Sequence, residues 1–407
     1  MRPAGRTLRS LGAALLAAAA AAPAAPAQAP ERQPRVPTAR TAVVVDGRDG
    51  DLMFAKRAGE RRPMASTTKL MTALLTLERA RQRAVFTAAD YAAAPVESQI
   101  GLRPGERMTV RDLLEALLLE SANDAAVTLA EGVAGSADAF VAAMNERAAE
   151  LGLEDTSYAN PIGFDDPFNY STASDLAALT LELLERPRFA RVVDMPLAEL
   201  ESGSRPRVID NRNTLVASYP FVNGVKTGHT LGAGYVLIGS AEGAGGARVV
   251  SVVMGEPSEA ARDADTLKLL RWGLARFRRV RVLVAGRTMA RSSIEHRDER
   301  AALVPARGAV LTLRAGERVR RRVTAPDELA GPLPAGERVG SVTVVVDGEP
   351  VRRVALVTAD DVPGAGTLRV LLSVLGVPLT VLLVLAILLG AALVALKLRV
   401  RLRLVRR

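Results

Sequence analysis

The chain has 407 residues, 49% hydrophobic and 24% charged, which is enough for two or three domains and too apolar for disorder throughout. The net charge of +10 sits at the ends: Arg2, Arg6 and Arg9, with six cations in the last eleven residues, leave only +1 between them. A body so nearly neutral, with 3% aromatics, argues against a nucleic-acid partner, and the lack of cysteine excludes disulfides, thiolate metal sites and a cysteine nucleophile.

The chain opens with a basic start, an apolar run over residues 11–22 and then Ala27-Gln28-Ala29, small residues where a signal peptidase reads. Residues 1–29 are therefore expected to be a cleaved export signal. From 38 to 277, apolar strand-like runs such as 41–45 alternate with helical stretches such as 109–119, an α/β composition. From 280 to 362 the text changes to short β-rich runs at 280–284, 309–313 and 341–346, which predicts a small all-β domain. Asp347-Gly348 between two such runs predicts a tight hairpin. Residues 370–396 are 27 positions without an ionisable side chain, against the ~20 needed to cross a bilayer. The basic segment 397–407 then predicts a single span with its tail in the cytoplasm and the domains outside. Pro378 is tolerable inside such a span.

Three triplets carry chemistry. Ser66-Thr67-Thr68-Lys69 opens a helix on which positions i and i+3 share a face. A lysine one turn from a serine can take its proton if burial or neighbouring cations lower the lysine's basicity. Ser121-Ala122-Asn123 offers a hydroxyl for proton relay, and an amide that could orient the lysine or hold a substrate amide. These residues also suit a helix N-cap. Lys226-Thr227-Gly228 reads as a strand where a lysine and a threonine suit a carboxylate and glycine lets a substrate backbone approach.

In that order the triplets are the signature of penicillin-binding proteins and class A β-lactamases. The chain resembles that superfamily, and within it the D-alanyl-D-alanine carboxypeptidases of the low-molecular-mass penicillin-binding proteins. The likeness covers most of residues 38–362 and includes the runs at 64–72, 151–156, 160–161, 170–173 and 226–230. It implies a β-lactamase/transpeptidase-like α/β (α+β) catalytic domain, a small all-β domain and a C-terminal transmembrane helix.

The resemblance further implies acylation of Ser66, with Lys69 as general base and Ser121, with Asn123, completing the proton network. Lys226 and Thr227, with Gly228, would bind the terminal carboxylate of a peptidoglycan stem peptide, Arg212 would add positive charge there, and His229 would catalyse or shape the site. β-Lactams would acylate the same serine. No metal or cofactor is expected. One departure stands out: Ile162 follows Asn160-Pro161, where the family often has histidine.

Two other readings compete. A β-lactamase of class A would need a deacylating glutamate, and no Glu-x-x-x-Asn lies between 124 and 200. A non-catalytic β-lactam sensor or wall-binding protein would not need all three triplets, and the eleven residues after Leu396 are too few for an output domain.

Overall fold

The computed structural model describes residues 33–404, so the export-signal segment 1–29 and the last three residues of the basic tail lie outside the described residues. At its centre is a five-stranded antiparallel sheet in the order Leu52–Lys56, Thr41–Asp46, Ala247–Glu256, Gly234–Gly243, Val222–Thr230. The strand Thr41–Asp46 is buried along its whole length because both faces of the sheet are covered. Val43 and Val45 pack with Leu70, Val250 and Val252, while Ala42 and Val44 pack with Leu237, Leu269 and Leu270. An unbroken apolar run, rather than an alternating one, is what burial on two faces requires.

Helix Glu259–Leu274 covers one face, and Ala173–Leu184 and Lys69–Arg79 cover the other. Helices Asn123–Ala134 and Ala137–Glu150 extend this second layer. The stretch expected as one helix over 109–119 is in two parts. An α-helical turn, Val110–Glu115, is capped by the Thr109 side chain, and a wider π-helical turn, Ala116–Glu120, follows it. A π turn of this kind delivers Ser121 in a left-handed conformation, φ 65° and ψ 28°.

The C-terminal β domain holds a six-stranded sheet, built around Arg338–Val346 and Glu349–Thr358, and the two-stranded pair Phe277–Leu283 with Ala309–Arg314. The expected hairpin lies between Val346 and Glu349, with Asp347 at φ 48° and Gly348 at φ 103°. Charged groups tie this domain to the central sheet. The fully buried carboxylate of Asp46 accepts from Arg48 at 2.6 Å and from Arg314 at 3.0 Å, and Arg48 reaches on to Glu317 at 3.0 Å. A buried carboxylate with two arginine partners is compensated.

The chain ends in the helix Thr367–Leu404, whose stretch Leu372–Arg399 contains an 18-residue window of mean hydropathy 3.0, with 6% of that window buried. Gly376 interrupts it at φ 72° and ψ 161°, two residues before Pro378. Residues 377–396 still span about 30 Å as helix, the thickness of a bilayer core. Ahead of the break, the Ser373 hydroxyl lies 2.7 Å from His296 Nδ1 in the β domain.

Candidate active site

The site lies where the edge strand Val222–Thr230 runs past the start of helix Lys69–Arg79. A 3-10 turn, Ala65–Thr68, precedes that helix, and Ala65 adopts φ 50°, a left-handed conformation costly for a residue with a Cβ. Ser66 is half-buried at this turn. Lys69, one turn on, is fully buried, and its Nζ lies 3.0 Å from Ser66 Oγ while donating to the Ile162 carbonyl at 2.6 Å. Burial, and then the charge of Lys226, push the Lys69 amine well below the ordinary lysine range. The carboxylates of Glu97 and Asp124 pull weakly the other way.

The loop that supplies the Ile162 carbonyl is shaped by Asn160. Its Oδ1 accepts from the backbone N–H groups of Ile162, Gly163 and Phe164 at 3.3, 2.7 and 3.1 Å. Thr72 adds a bond to the Pro161 carbonyl at 2.8 Å, and Asp165 ties the loop to the strand end through Thr230 at 2.6 Å. The departure at residue 162 is thereby explained in part: the lysine is held by a backbone carbonyl, which any side chain leaves in place. Position 163 is more demanding. It has φ +98°, and a Cβ there would lie 2.1 Å from the Ala65 carbonyl oxygen and 2.9 Å from Ser66 N. We expect Gly163→Ala to displace the Ala65–Ser66 backbone and slow acylation by labelled penicillin about 100-fold. Incorporation kinetics, read beside a circular-dichroism melt, check this; acylation at the parental rate would contradict it.

Ser121 and Asn123 come from the junction after the π turn, which packs on helix Lys69–Arg79. The N-cap of helix Asn123–Ala134 is Ala122, without a side-chain cap bond, so capping is not what Ser121 does. Its buried hydroxyl has no hydrogen-bond partner among the described residues. The Asn123 amide donates to Glu97 at 2.7 Å.

On the strand, Lys226 is 1% exposed and donates to the Thr227 carbonyl at 3.0 Å. Burial, with the charges of Arg212 and Arg262, pushes its amine down to about 7. Gly228 presses against the turn that carries Ser66, since a Cβ there would stand 3.1 Å from Ser66 N. His229 is exposed and stacks on Tyr235, with ring centroids 4.0 Å apart. Arg212 is anchored by its N–H on the Leu119 carbonyl and pairs with Glu120.

The sequence reading missed Glu97, the Ile162 carbonyl, Asp165 and Arg262, none of which lies in a triplet. Arg262 is 3% exposed and paired with Glu259 and Asp263, and its cation lies within electrostatic range of Lys226.

The half-buried Ser66 beside a fully buried Lys69, with Ser121 nearby and a lysine on the edge strand, suits attack on a carbonyl next to a carboxylate. Comparison with known proteins agrees. Residues 27–258 match the family model described as D-alanyl-D-alanine carboxypeptidase, and residues 277–364 that of the penicillin-binding protein 5 C-terminal domain. The D-alanyl-D-alanine carboxypeptidase DacF of Bacillus subtilis is 30% identical over 348 residues, 83% of this chain and 89% of that protein. DacA of Haemophilus influenzae is 31% identical over 343 residues, 81% of this chain and 86% of that protein. The crystal structure of penicillin binding protein 5 from Haemophilus influenzae aligns at TM-score 0.59 and 29% identity, covering 83% of this chain and 100% of that one. With most of its length matched in this way, the chain belongs to the D-alanyl-D-alanine carboxypeptidase family.

Proposed function

We propose that this chain removes the terminal D-alanine from peptidoglycan stem peptides through an acyl-enzyme on Ser66. The observation that carries this reading is a fully buried Lys69 amine 3.0 Å from Ser66 Oγ, its basicity lowered by burial and by Lys226. A neutral amine has a lone pair to accept the serine proton, which an ordinary surface lysine at pH 7 does not.

In the first step Ser66 Oγ attacks the carbonyl carbon of the penultimate D-alanine and its proton passes to Lys69 Nζ. The tetrahedral adduct collapses, the C–N bond breaks, and the departing amine takes a proton relayed from Lys69 through Ser121. Asn123 orients this network. Lys226, Thr227 and Gly228 receive the terminal carboxylate at the edge strand, with Arg212 contributing positive charge, and His229 forms the outer wall. Water then attacks the ester, returns Ser66 to its hydroxyl form and releases the shortened peptide. A β-lactam, whose ring amide offers the same carbonyl beside a carboxylate, enters the first step and stays.

In this reading residues 1–29 direct export, 38–277 form the catalytic domain and 280–362 a spacer. Residues 370–396 anchor the enzyme as a single span, with 397–407 in the cytoplasm and the catalytic domain on the outer side. The length and hydropathy of the C-terminal helix support the anchor.

Peptide mapping after labelling with penicillin tests the assignment. The adduct is expected on the fragment containing Ser66 and is lost in Ser66→Ala; a stable adduct on any other fragment would refute it.

A further inference from the structure

The strands Val85–Thr87 and Arg107–Thr109 pair, and residues 88–106 form a long excursion between them. This excursion is sewn to the start of helix Asn123–Ala134. Asn123 N donates to the Ser98 carbonyl at 2.8 Å, and the Asp124 carboxylate accepts from Ile100 N at 3.2 Å and Leu102 N at 2.9 Å. Glu97 sits within the seam. Its Oε2 accepts from the Tyr91 hydroxyl at 2.5 Å and from Asn123 Nδ2 at 2.7 Å, and its Oε1 accepts from Ala94 N at 2.8 Å.

The chemistry of these partners imposes a choice on Asn123. A side-chain amide has a donor end and an acceptor end of nearly equal size and can turn over. An ionised carboxylate can only accept, so the NH2 end must face Glu97 and the Oδ1 end must face away. Burial resists ionisation of Glu97, but the bonds from Tyr91, Asn123 and Ala94 and the charge of Lys69 outweigh it and hold the carboxyl below its ordinary range.

We propose that Glu97 is a positioning residue of this site: clamped by Tyr91 and Ala94, its carboxylate fixes the Asn123 amide in one of its two orientations for acylation. The inference rests on the functional reading above, since it gives Glu97 a task only if Asn123 belongs to the reacting network. It also places an anion within electrostatic range of Lys69, whose other charged neighbours are Lys226 and Asp124.

The test compares the full chain with its Glu97→Ala, Glu97→Gln, Asn123→Ala and Glu97→Ala/Asn123→Ala variants. Acylation by labelled penicillin is measured across pH, with thermal melts alongside. Glu97→Ala is expected to slow acylation about 10- to 100-fold, the effect of losing a charge-assisted hydrogen bond. The double variant should be no slower than the slower single variant, because both remove one interaction. Glu97→Gln keeps an acceptor oxygen and should recover most of the rate. It also removes an anion that favours protonated Lys69, so the acid limb of its profile should move to lower pH. Independent, multiplying effects of the two alanine variants, or a Glu97→Ala protein that acylates at the parental rate, would overturn the inference while leaving Ser66 acylation standing. Acylation that does not require Ser66 would overturn the functional reading and this inference with it.

Discussion

Replacing Lys69 by methionine is expected to slow acylation about 10²- to 10⁴-fold, the range for loss of a positioned general base, while the protein stays folded. The side chain is enclosed on every side, so an apolar group of similar length fills the same space and removes the need to bury an amine. The Ile162 carbonyl loses its donor, a modest loss set against the removed desolvation penalty. Lys69→Arg should fail equally, because a guanidinium does not release its proton in proteins. Stopped acylation assays and thermal melts separate the two effects. A Lys69→Met enzyme acylated at the parental rate would show that the proton goes elsewhere.

Replacing Lys226 by methionine is expected to weaken and stabilise at once. The carboxylate loses its buried cation, so kcat/KM for a peptide ending in a free carboxylate should fall about 10- to 100-fold. Stability moves the other way because the fold holds this amine down to about 7 against 10.5 unperturbed. Below pH 7 both folded and unfolded chains carry the charge, and the folded chain bears the full penalty of burying it. Between about 7 and 10.5 the unfolded state binds more protons, so the native enzyme gains stability as pH rises, and above 10.5 the penalty is gone. Lys226→Met should therefore be more stable than the parent by about 1–4 kcal/mol at pH 7, with the advantage shrinking towards pH 10.5. Urea unfolding at the two pH values checks this; a variant less stable at pH 7 would show that the cation is stabilised by its surroundings. Such opposition between stability and function is common where a site must hold an unfavourable group ready.

The parts of this protein that the sequence makes legible share a physical reason: a local pattern with one structural solution. The continuous apolar run at 41–45 suits a strand covered on both faces, and Asp347-Gly348 suits a turn whose two residues have positive φ. The three motifs are legible together because, in the proposed mechanism, their side chains are the reagents themselves. The structure sets Lys69 beside Ser66 and within the field of Lys226, 157 residues further on.

What the sequence conceals is either backbone or context. The Ile162 carbonyl has no side-chain signature, and its place on Lys69 depends on the turn made by Asn160. The π turn Ala116–Glu120 is as apolar as an α-helical turn would be, so periodicity reads straight through it. Ser121, suited by residue type to an N-cap, follows that turn in a left-handed conformation, and the cap position falls to Ala122 instead. Glu97 belongs to an irregular segment, and its bond to Asn123, 26 residues away, has no local sequence signal.

The central claim is Ser66-dependent carboxypeptidase activity, and the most direct measurement is D-alanine release from a pentapeptide ending in D-Ala-D-Ala, with labelled penicillin in parallel. The full-length enzyme is expected to release D-alanine and to form a long-lived penicillin adduct, both abolished in Ser66→Ala. Rapid turnover of penicillin without D-alanine release, or a stable adduct with neither substrate turned over, would contradict it.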